Sequence, residues 1–239
     1  MVALAGGLAC KLPGAAALAQ TPDSGFRIVP RRPIEELRRE AALRMPPEQA
    51  DTLLAPDLVD LTTLDATIHL DMRYATTDNF MGERMYTSAR AFLQRPAAAA
   101  LLRAHRALAA QGYGLLIHDA YRPWSVTWMF WEATPVAQRS FVANPARGSK
   151  HNRGCAVDLS MYELATGRPV QMPSGYDEFS ERAHPGYTGG TERQRALRDL
   201  LRRTMEAEGF TVDLGEWWHF DYRDWARYPV LNVPFEQIR

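Results

Sequence analysis

The sequence predicts an α+β domain in which helices flank a small central antiparallel sheet. Two long stretches, residues 96–111 and 191–208, have apolar residues at helical spacing and carry start and stop signals at their ends. Residues 67–73 alternate apolar and polar side chains, and residues 114–118 form a short apolar run; both patterns are typical of strands. We therefore expect the two helices to pack on one small sheet.

The first 19 residues predict a secretory signal peptide. They are almost all small or apolar and end in Ala17-Leu18-Ala19, which fits a small-x-small cleavage pattern. The only charge, Lys11, interrupts the apolar run, so a misplaced start or a disordered Ala/Gly-rich tail are the alternatives. A working signal implies a periplasmic or secreted protein, and a non-working one a cytoplasmic protein. Cys10 follows Gly7-Leu8-Ala9, an incomplete lipoprotein pattern and a weak candidate for a lipid anchor.

The overall composition excludes several classes of partner. The 28 basic and 28 acidic residues cancel, which gives no electrostatic reason to expect nucleic acid or an anionic membrane. No apolar run approaches the ~18 residues of a transmembrane span. Residues 20–50 predict a proline-rich linker followed by a short helix over 34–43, and residues 51–239 predict the main domain.

The segments that follow alternate between secondary structure and loops. Residues 74–86 have the composition of a loop but contain many aromatic rings. The helix over 96–111 has Pro96 in its first turn and ends before Gly112, and we expect His105 on its surface. The strand 114–118 leads through a turn into an aromatic helix, 124–132, which we assign to the core. Arg122 precedes Pro123 and is therefore held extended at a strand end.

Residues 163–190 form a long stretch rich in Gly, Pro and Tyr without a regular pattern, and loops of this length in compact domains tend to be functional. The helix over 191–208 has Thr191 as its cap and Gly209 as its stop. Residues 210–222 then return the chain to the sheet.

Two short segments carry the residues expected to bind a metal: 149–158 (SKHNRGCAVD) and 216–219 (EWWH). His151, Asp158 and His219 supply three ligands of the types that catalytic zinc uses, which leaves a fourth position for water. Glu216 is then the natural base. Gly154 can let the chain double back toward a strand that begins near residue 156. Side chains alternate along a strand, so we expect Glu216 in a turn and His219 on the strand after it.

The pattern S-x-H-x-x-G-x-A-x-D, followed by E-x-W-H, resembles the zinc D-Ala-D-Ala peptidases, and most closely the D-alanyl-D-alanine dipeptidases of the VanX type. Residues 73–80 (RYATTDNF) and 114–123 (GLLIHDAYRP) also resemble segments of that family. Four collinear segments agree, so the similarity spans roughly residues 67–222. It implies that residues 51–239 are a single zinc-peptidase domain that hydrolyses a small dipeptide with one Zn²⁺ per chain.

The resemblance also implies roles for residues outside the metal motifs. Arg122 matches an arginine that stabilises the charge on the tetrahedral intermediate, and Asp177 matches an aspartate that binds the free amino group, a role that Glu178 could share. The remaining substrate-binding candidates are Tyr74, Tyr86 and Ser149. Lys150 departs from the family pattern, which often has a small residue there, and could alter carboxylate recognition or substrate breadth.

Several alternatives stay open from the sequence. The chain could be a D-Ala-D-Ala carboxypeptidase or a peptidoglycan endopeptidase on the same zinc scaffold. It could also be a zinc-bearing binding module without turnover, although the presence of Glu216 and Arg122 disfavours this. Nickel or cobalt could occupy the same site. A structural zinc with Glu216 as fourth ligand is disfavoured because closed sites favour cysteine.

Overall fold

A computed structural model describes residues 26–50 and 52–238, so the predicted signal peptide and Cys10 lie outside the described residues. The main sheet has five strands, which in spatial order are β2 (His69–Leu70), β4 (Tyr113–Asp119), β5 (Ala156–Glu163), β7 (His219–Tyr222) and β6 (Phe210–Val212). All neighbours in this order are antiparallel except the edge pair β2 and β4, which is parallel. A separate two-stranded ribbon joins β1 (Leu58–Asp60) and β3 (Phe92–Gln94). The predicted α+β class is confirmed.

The two predicted long helices are present as α3 (Arg95–Ala109) and α5 (Glu192–Ala207), within two residues of their expected ends. They contact each other; α3 also packs on β4, and α5 on β6. A capping box begins α5, because the Thr191 hydroxyl accepts from the Gln194 N–H and the Gln194 side chain accepts from the Thr191 N–H. A one-turn helix, α2 (Leu61–Leu64), follows β1.

A second helical pair packs the amino-terminal part of the described chain onto the domain. α1 (Ile34–Ala41) contacts α4 (Trp124–Ala133), and Leu37 of α1 is completely buried. Most of the residues of α4 are buried, among them Trp124, Trp128 and Phe130, as expected for a helix that is apolar on all sides. The assignment of this aromatic helix to the core is confirmed.

Two local expectations were wrong. The strand predicted over 67–73 is regular only at His69–Leu70, after which residues Arg73–Ala75 form a 3₁₀ turn. His105 is buried, not on the surface. Its Nδ1 accepts the backbone N–H of Leu115 at 3.2 Å, and its Nε2 lies 2.8 Å from the Thr67 hydroxyl. The ring therefore satisfies polar groups where α3 packs against the sheet, a contact that helical spacing alone does not reveal.

No helix among the described residues is long and apolar enough to cross a membrane.

Candidate active site

Strand register brings two of the predicted metal ligands together. β5 and β7 pair in antiparallel fashion with Asp158 directly opposite His219, so the two side chains leave the same face of the sheet as cross-strand neighbours. His151 lies in a 3₁₀ turn just before β5. Gly154 ends this turn with a φ of +65°, and a Cβ there would lie 2.4 Å from Leu58 Cδ2. Glycine adopts this left-handed conformation without strain, and any other residue there would also displace the Leu58 side chain.

The three ligand atoms form a small triangle. His151 Nε2 lies 3.2 Å from His219 Nδ1 and 3.3 Å from Asp158 Oδ1, and the third side of the triangle, from His219 Nδ1 to Asp158 Oδ1, is 2.9 Å. Ligands of a tetrahedral zinc ion, with bonds of about 2.0–2.2 Å, lie about 3.3 Å from one another. The spacing and the donor types therefore fit zinc.

Neighbouring groups orient two of these side chains, His151 and Asp158. His151 Nδ1 lies 2.6 Å from the carbonyl oxygen of Ala120, which can only accept, so Nδ1 carries the hydrogen and Nε2 presents its lone pair. The Tyr176 hydroxyl donates to Asp158 Oδ2 at 3.0 Å, which leaves Oδ1 on the side of the cluster. Outer contacts of this kind commonly hold metal ligands in place.

The charges around the cluster favour a cation. Burial opposes ionisation of Asp158, but His151 and His219 outweigh it and hold the pKa of this carboxyl well below its usual range. Burial likewise tends to lower the pKa of His219, yet hydrogen bonds to Asp158 and Asp221 raise it well above the usual value. A proton and a metal ion therefore compete for the same nitrogen of His219, Nδ1.

Glu216 lies in the turn between β6 and β7, and His219 is the first residue of β7, both as predicted. Glu216 Oε2 is 3.8 Å from His219 Nδ1, so the carboxyl borders the cluster. Burial raises the pKa of Glu216 to about 7, a shift that His219 opposes and Asp158 reinforces. A carboxyl with a pKa near neutrality can both accept and return a proton at physiological pH.

Arg122 lies at the end of the predicted turn, where a buried carboxylate holds it. Its Nε and Nη2 donate to Asp119 Oδ2 at 2.9 and 2.6 Å, and Asp119 is completely buried. The guanidinium carbon also lies 5.0 Å from the centre of the Phe130 ring. These contacts leave part of the guanidinium facing the cavity with a rigid orientation.

Asp177 lies in the long loop and has an unusual backbone conformation. Its φ is +56°, and it is the one non-glycine residue with positive φ in the described chain. Its Oδ2 accepts from the Tyr74 hydroxyl at 2.9 Å. Burial, Asp158 and Glu216 together raise the pKa of Asp177 well above its usual range. A strained, buried carboxyl next to two further carboxyls indicates a functional position.

These side chains meet in one cavity of about 840 Å³. Eight of the nine residues predicted for the site line it: Tyr74, Arg122, Ser149, His151, Asp158, Asp177, Glu216 and His219. The ninth, Tyr86, is buried and donates its hydroxyl to Asp119 Oδ1 at 2.6 Å. Tyr86 therefore supports the carboxylate that holds Arg122 and does not form part of the cavity wall.

Sequence reasoning missed three residues that hydrogen-bond to side chains of the site: Asp119, Tyr176 and Asp221. Asp119 lies three residues before Arg122, and Tyr176 lies next to Asp177, but no spacing rule marks either residue. Asp221 could have been found, because it lies two residues after His219 on a strand and therefore on the same face.

Comparisons with known proteins identify the family of this chain. A family model of M15 peptidases, described as D-Ala-D-Ala dipeptidase, matches residues 55–237. The D-alanyl-D-alanine dipeptidase of Escherichia coli (strain K12) is 35% identical over 179 residues, which cover 75% of this chain and 91% of that protein. That of Enterococcus faecium is 36% identical over 198 residues, or 74% of this chain and 98% of the relative. The solved LdcB LD-carboxypeptidase has 16% identity and a TM-score of 0.39, covering 73% of this chain and 69% of that one. The chain therefore belongs to the D-Ala-D-Ala dipeptidase family of M15 metallopeptidases.

Proposed function

We propose that this protein hydrolyses the dipeptide D-Ala-D-Ala to two molecules of D-alanine with one bound zinc ion. The observation that carries the substrate assignment is the position of Asp177, whose buried carboxyl shares a cavity with the His151, Asp158 and His219 cluster. No lysine or arginine of the described chain forms a salt bridge with it. The ammonium of a free dipeptide is the cation that this carboxyl lacks.

His151 Nε2, Asp158 Oδ1 and His219 Nδ1 would hold the zinc ion. Bound there, zinc supplies a Lewis acid for the scissile carbonyl and a water molecule of lowered pKa. The remaining steps belong to side chains of the protein.

Glu216 takes the proton of the attacking water and transfers it to the amine that leaves. Its position beside His219 and its pKa near 7 suit both transfers. The developing oxyanion faces Arg122, whose guanidinium is already oriented by Asp119, so little reorganisation accompanies the reaction.

Asp177, with Tyr74, binds the free amino group of the substrate and so fixes the distance from the chain terminus to the scissile bond. The Ser149 hydroxyl lines the same cavity and accepts the backbone N–H of His151 at 3.2 Å. Its own proton can be donated to the peptide or to the terminal carboxylate.

The test compares D-Ala-D-Ala with its N-acetyl derivative and with a stem pentapeptide that ends in D-Ala-D-Ala. We expect release of D-alanine from the free dipeptide alone, because acetylation removes the charge that Asp177 binds. Cleavage of the N-acetyl derivative and the pentapeptide would instead identify a carboxypeptidase. A zinc-loaded protein that cleaves none of the three would be a binding module.

Export to the periplasm or the medium is part of the same proposal and is supported only by the pattern of residues 1–19. Amino-terminal sequencing of the protein from cells tests it. We expect the mature chain to begin at Gln20, and an intact residue 1 in the cytoplasmic fraction would contradict export.

A further inference from the structure

His219 has a polar partner on the side of its ring that faces away from the metal cluster. Its Nε2 lies 2.9 Å from Oδ1 of Asp221, a buried residue two positions further along β7. The other oxygen of Asp221 is hydrogen-bonded to the ammonium of Lys150. Lys150 is the residue before His151, and its Nζ also lies 5.2 Å from the centre of the Trp225 ring.

We propose that Lys150 and Asp221 are a pair of positioning residues for the metal ligand His219. Asp221 keeps the hydrogen of the imidazole on Nε2, so that Nδ1 presents its lone pair to the cluster. Lys150 holds the carboxylate of Asp221 in place and neutralises its charge. This inference rests on the proposed zinc site.

The pair connects the two parts of the chain that supply histidine ligands. Lys150 belongs to the turn that carries His151, whereas Asp221 belongs to the strand that carries His219. A contact between them therefore limits how far the two imidazoles can move apart. Outer contacts of this kind typically change metal affinity about 10–100-fold when they are removed.

Lys150 also balances the negative charge of Asp221. Six acidic residues line the cavity, among them Asp158, Glu216 and Asp177, and Arg122 is paired with Asp119. Asp221 adds another carboxyl, directly behind the proposed metal ligand His219. With zinc on Nδ1 the imidazole of His219 is neutral, so without Lys150 the carboxylate of Asp221 would be a buried charge with no cation beside it, which is costly.

This arrangement competes with a different role for Lys150, in which its ammonium binds the carboxylate of the substrate. The side chain is 36% exposed and lies at the cavity wall. Its ammonium, however, already contacts Asp221 and faces Trp225. The structure therefore assigns Lys150 to the metal ligand, and the substrate role becomes an outcome of the test.

The test measures the zinc dissociation constant of the full-length protein by competition with a chelating indicator. We expect it to rise about 10–100-fold in Asp221→Asn and by a smaller factor in Lys150→Met. Lys150→Arg should keep the zinc dissociation constant of the unmodified protein, because a guanidinium can still bind Asp221. The double variant Lys150→Met/Asp221→Asn should bind zinc no more weakly than Asp221→Asn alone, because the two residues act in series. Arg147→Met, which removes an exposed cation from the same loop, is the matched control and should leave the constant unchanged.

The absorption spectrum of the cobalt-substituted protein provides a second readout, since it reports ligand geometry independently of turnover. We expect it to change in Asp221→Asn and not in Arg147→Met. Melting of each metal-free variant separates weaker metal binding from loss of the fold; if Asp221→Asn does not fold, Lys150→Met and Lys150→Arg still decide the question.

Two results would overturn the inference. One is an unchanged zinc constant in Lys150→Met with a raised KM for D-Ala-D-Ala, which would assign Lys150 to the substrate carboxylate. The other is additive effects in the double variant, which would show that the residues act independently. A wild-type protein that binds no zinc would instead contradict the proposed function.

Discussion

The two walls of the cavity are built differently. The metal wall consists of β5, β7 and the turn before β5; strand pairing sets the positions of Asp158 and His219, and the turn sets that of His151. The opposite wall consists of Arg122, Tyr74 and the long loop that carries Asp177, where buried side-chain hydrogen bonds set the positions. Backbone structure thus positions the groups proposed to activate water, and side-chain contacts position those proposed to select the substrate.

The largest expected effect is on the metal wall. Glu216→Gln keeps the shape of the side chain but removes the base, so we expect kcat to fall about 10²–10⁴-fold. Zinc content measured on the same preparation should be unchanged. Loss of zinc would mean that Glu216 is a ligand of a closed site.

Arg122→Lys tests the hydrogen bonds between Arg122 and Asp119 on the opposite wall. Lysine keeps a positive charge beside Asp119 but loses the guanidinium fork, so we expect a loss of about 2.7–4 kcal/mol in transition-state stabilisation, seen as a lower kcat. Lysine is preferable to alanine, which would leave the buried Asp119 without a cation. An unchanged kcat would assign Arg122 to structure alone.

Asp177→Asn tests substrate selection. Asparagine also tolerates a positive φ, so the backbone conformation is retained while the charge is lost. A hydrogen bond to a charged group contributes about 1.5–3 kcal/mol, so we expect kcat/KM for D-Ala-D-Ala to fall about 10–100-fold. Zinc content should not change, and an unchanged kcat/KM for D-Ala-D-Ala would refute the assignment of Asp177 to the amino group.

The pH dependence of activity tests the role of Glu216 on the metal wall. Glu216 must be ionised to accept a proton, and burial raises its pKa to about 7. A bound dication favours the ionised form, so the acid limb of kcat/KM should have its midpoint at or below pH 7. Below that midpoint, activity should fall about tenfold per pH unit. The same limb in the residual activity of Glu216→Gln would assign the titration to another group.

The smallest expected effect lies where the walls meet. Tyr176 belongs to the loop but donates to the metal ligand Asp158. Removal of this hydrogen bond in Tyr176→Phe should weaken zinc binding about 2–10-fold. Tyr187→Phe, in the same loop, is the control. If both variants bind zinc equally well, the two walls are independent.

The contrast between the walls also explains what the sequence could predict. The positions of the proposed ligands and of Glu216 were predictable, because a turn at Gly154 and alternation along β7 determine where their side chains lie. The helices around residues 96–111 and 191–208 were predictable from their end signals. The burial of His105 and the supporting role of Tyr86 were not, since both depend on partners far away in sequence: Thr67 and Asp119. Tyr176 was missed for the same reason.

Tyr176 and Asp177 are consecutive residues, and one contacts a metal ligand while the other is assigned to the substrate ammonium. If zinc or the substrate orders Tyr176 and Asp177 when it binds, the other should therefore bind more tightly. Thermodynamic linkage requires the benefit to be reciprocal: the factor by which zinc tightens dipeptide binding equals the factor by which the dipeptide tightens zinc binding. A protein with the substrate bound should thus retain more of its metal at equilibrium with a chelator than the free protein does.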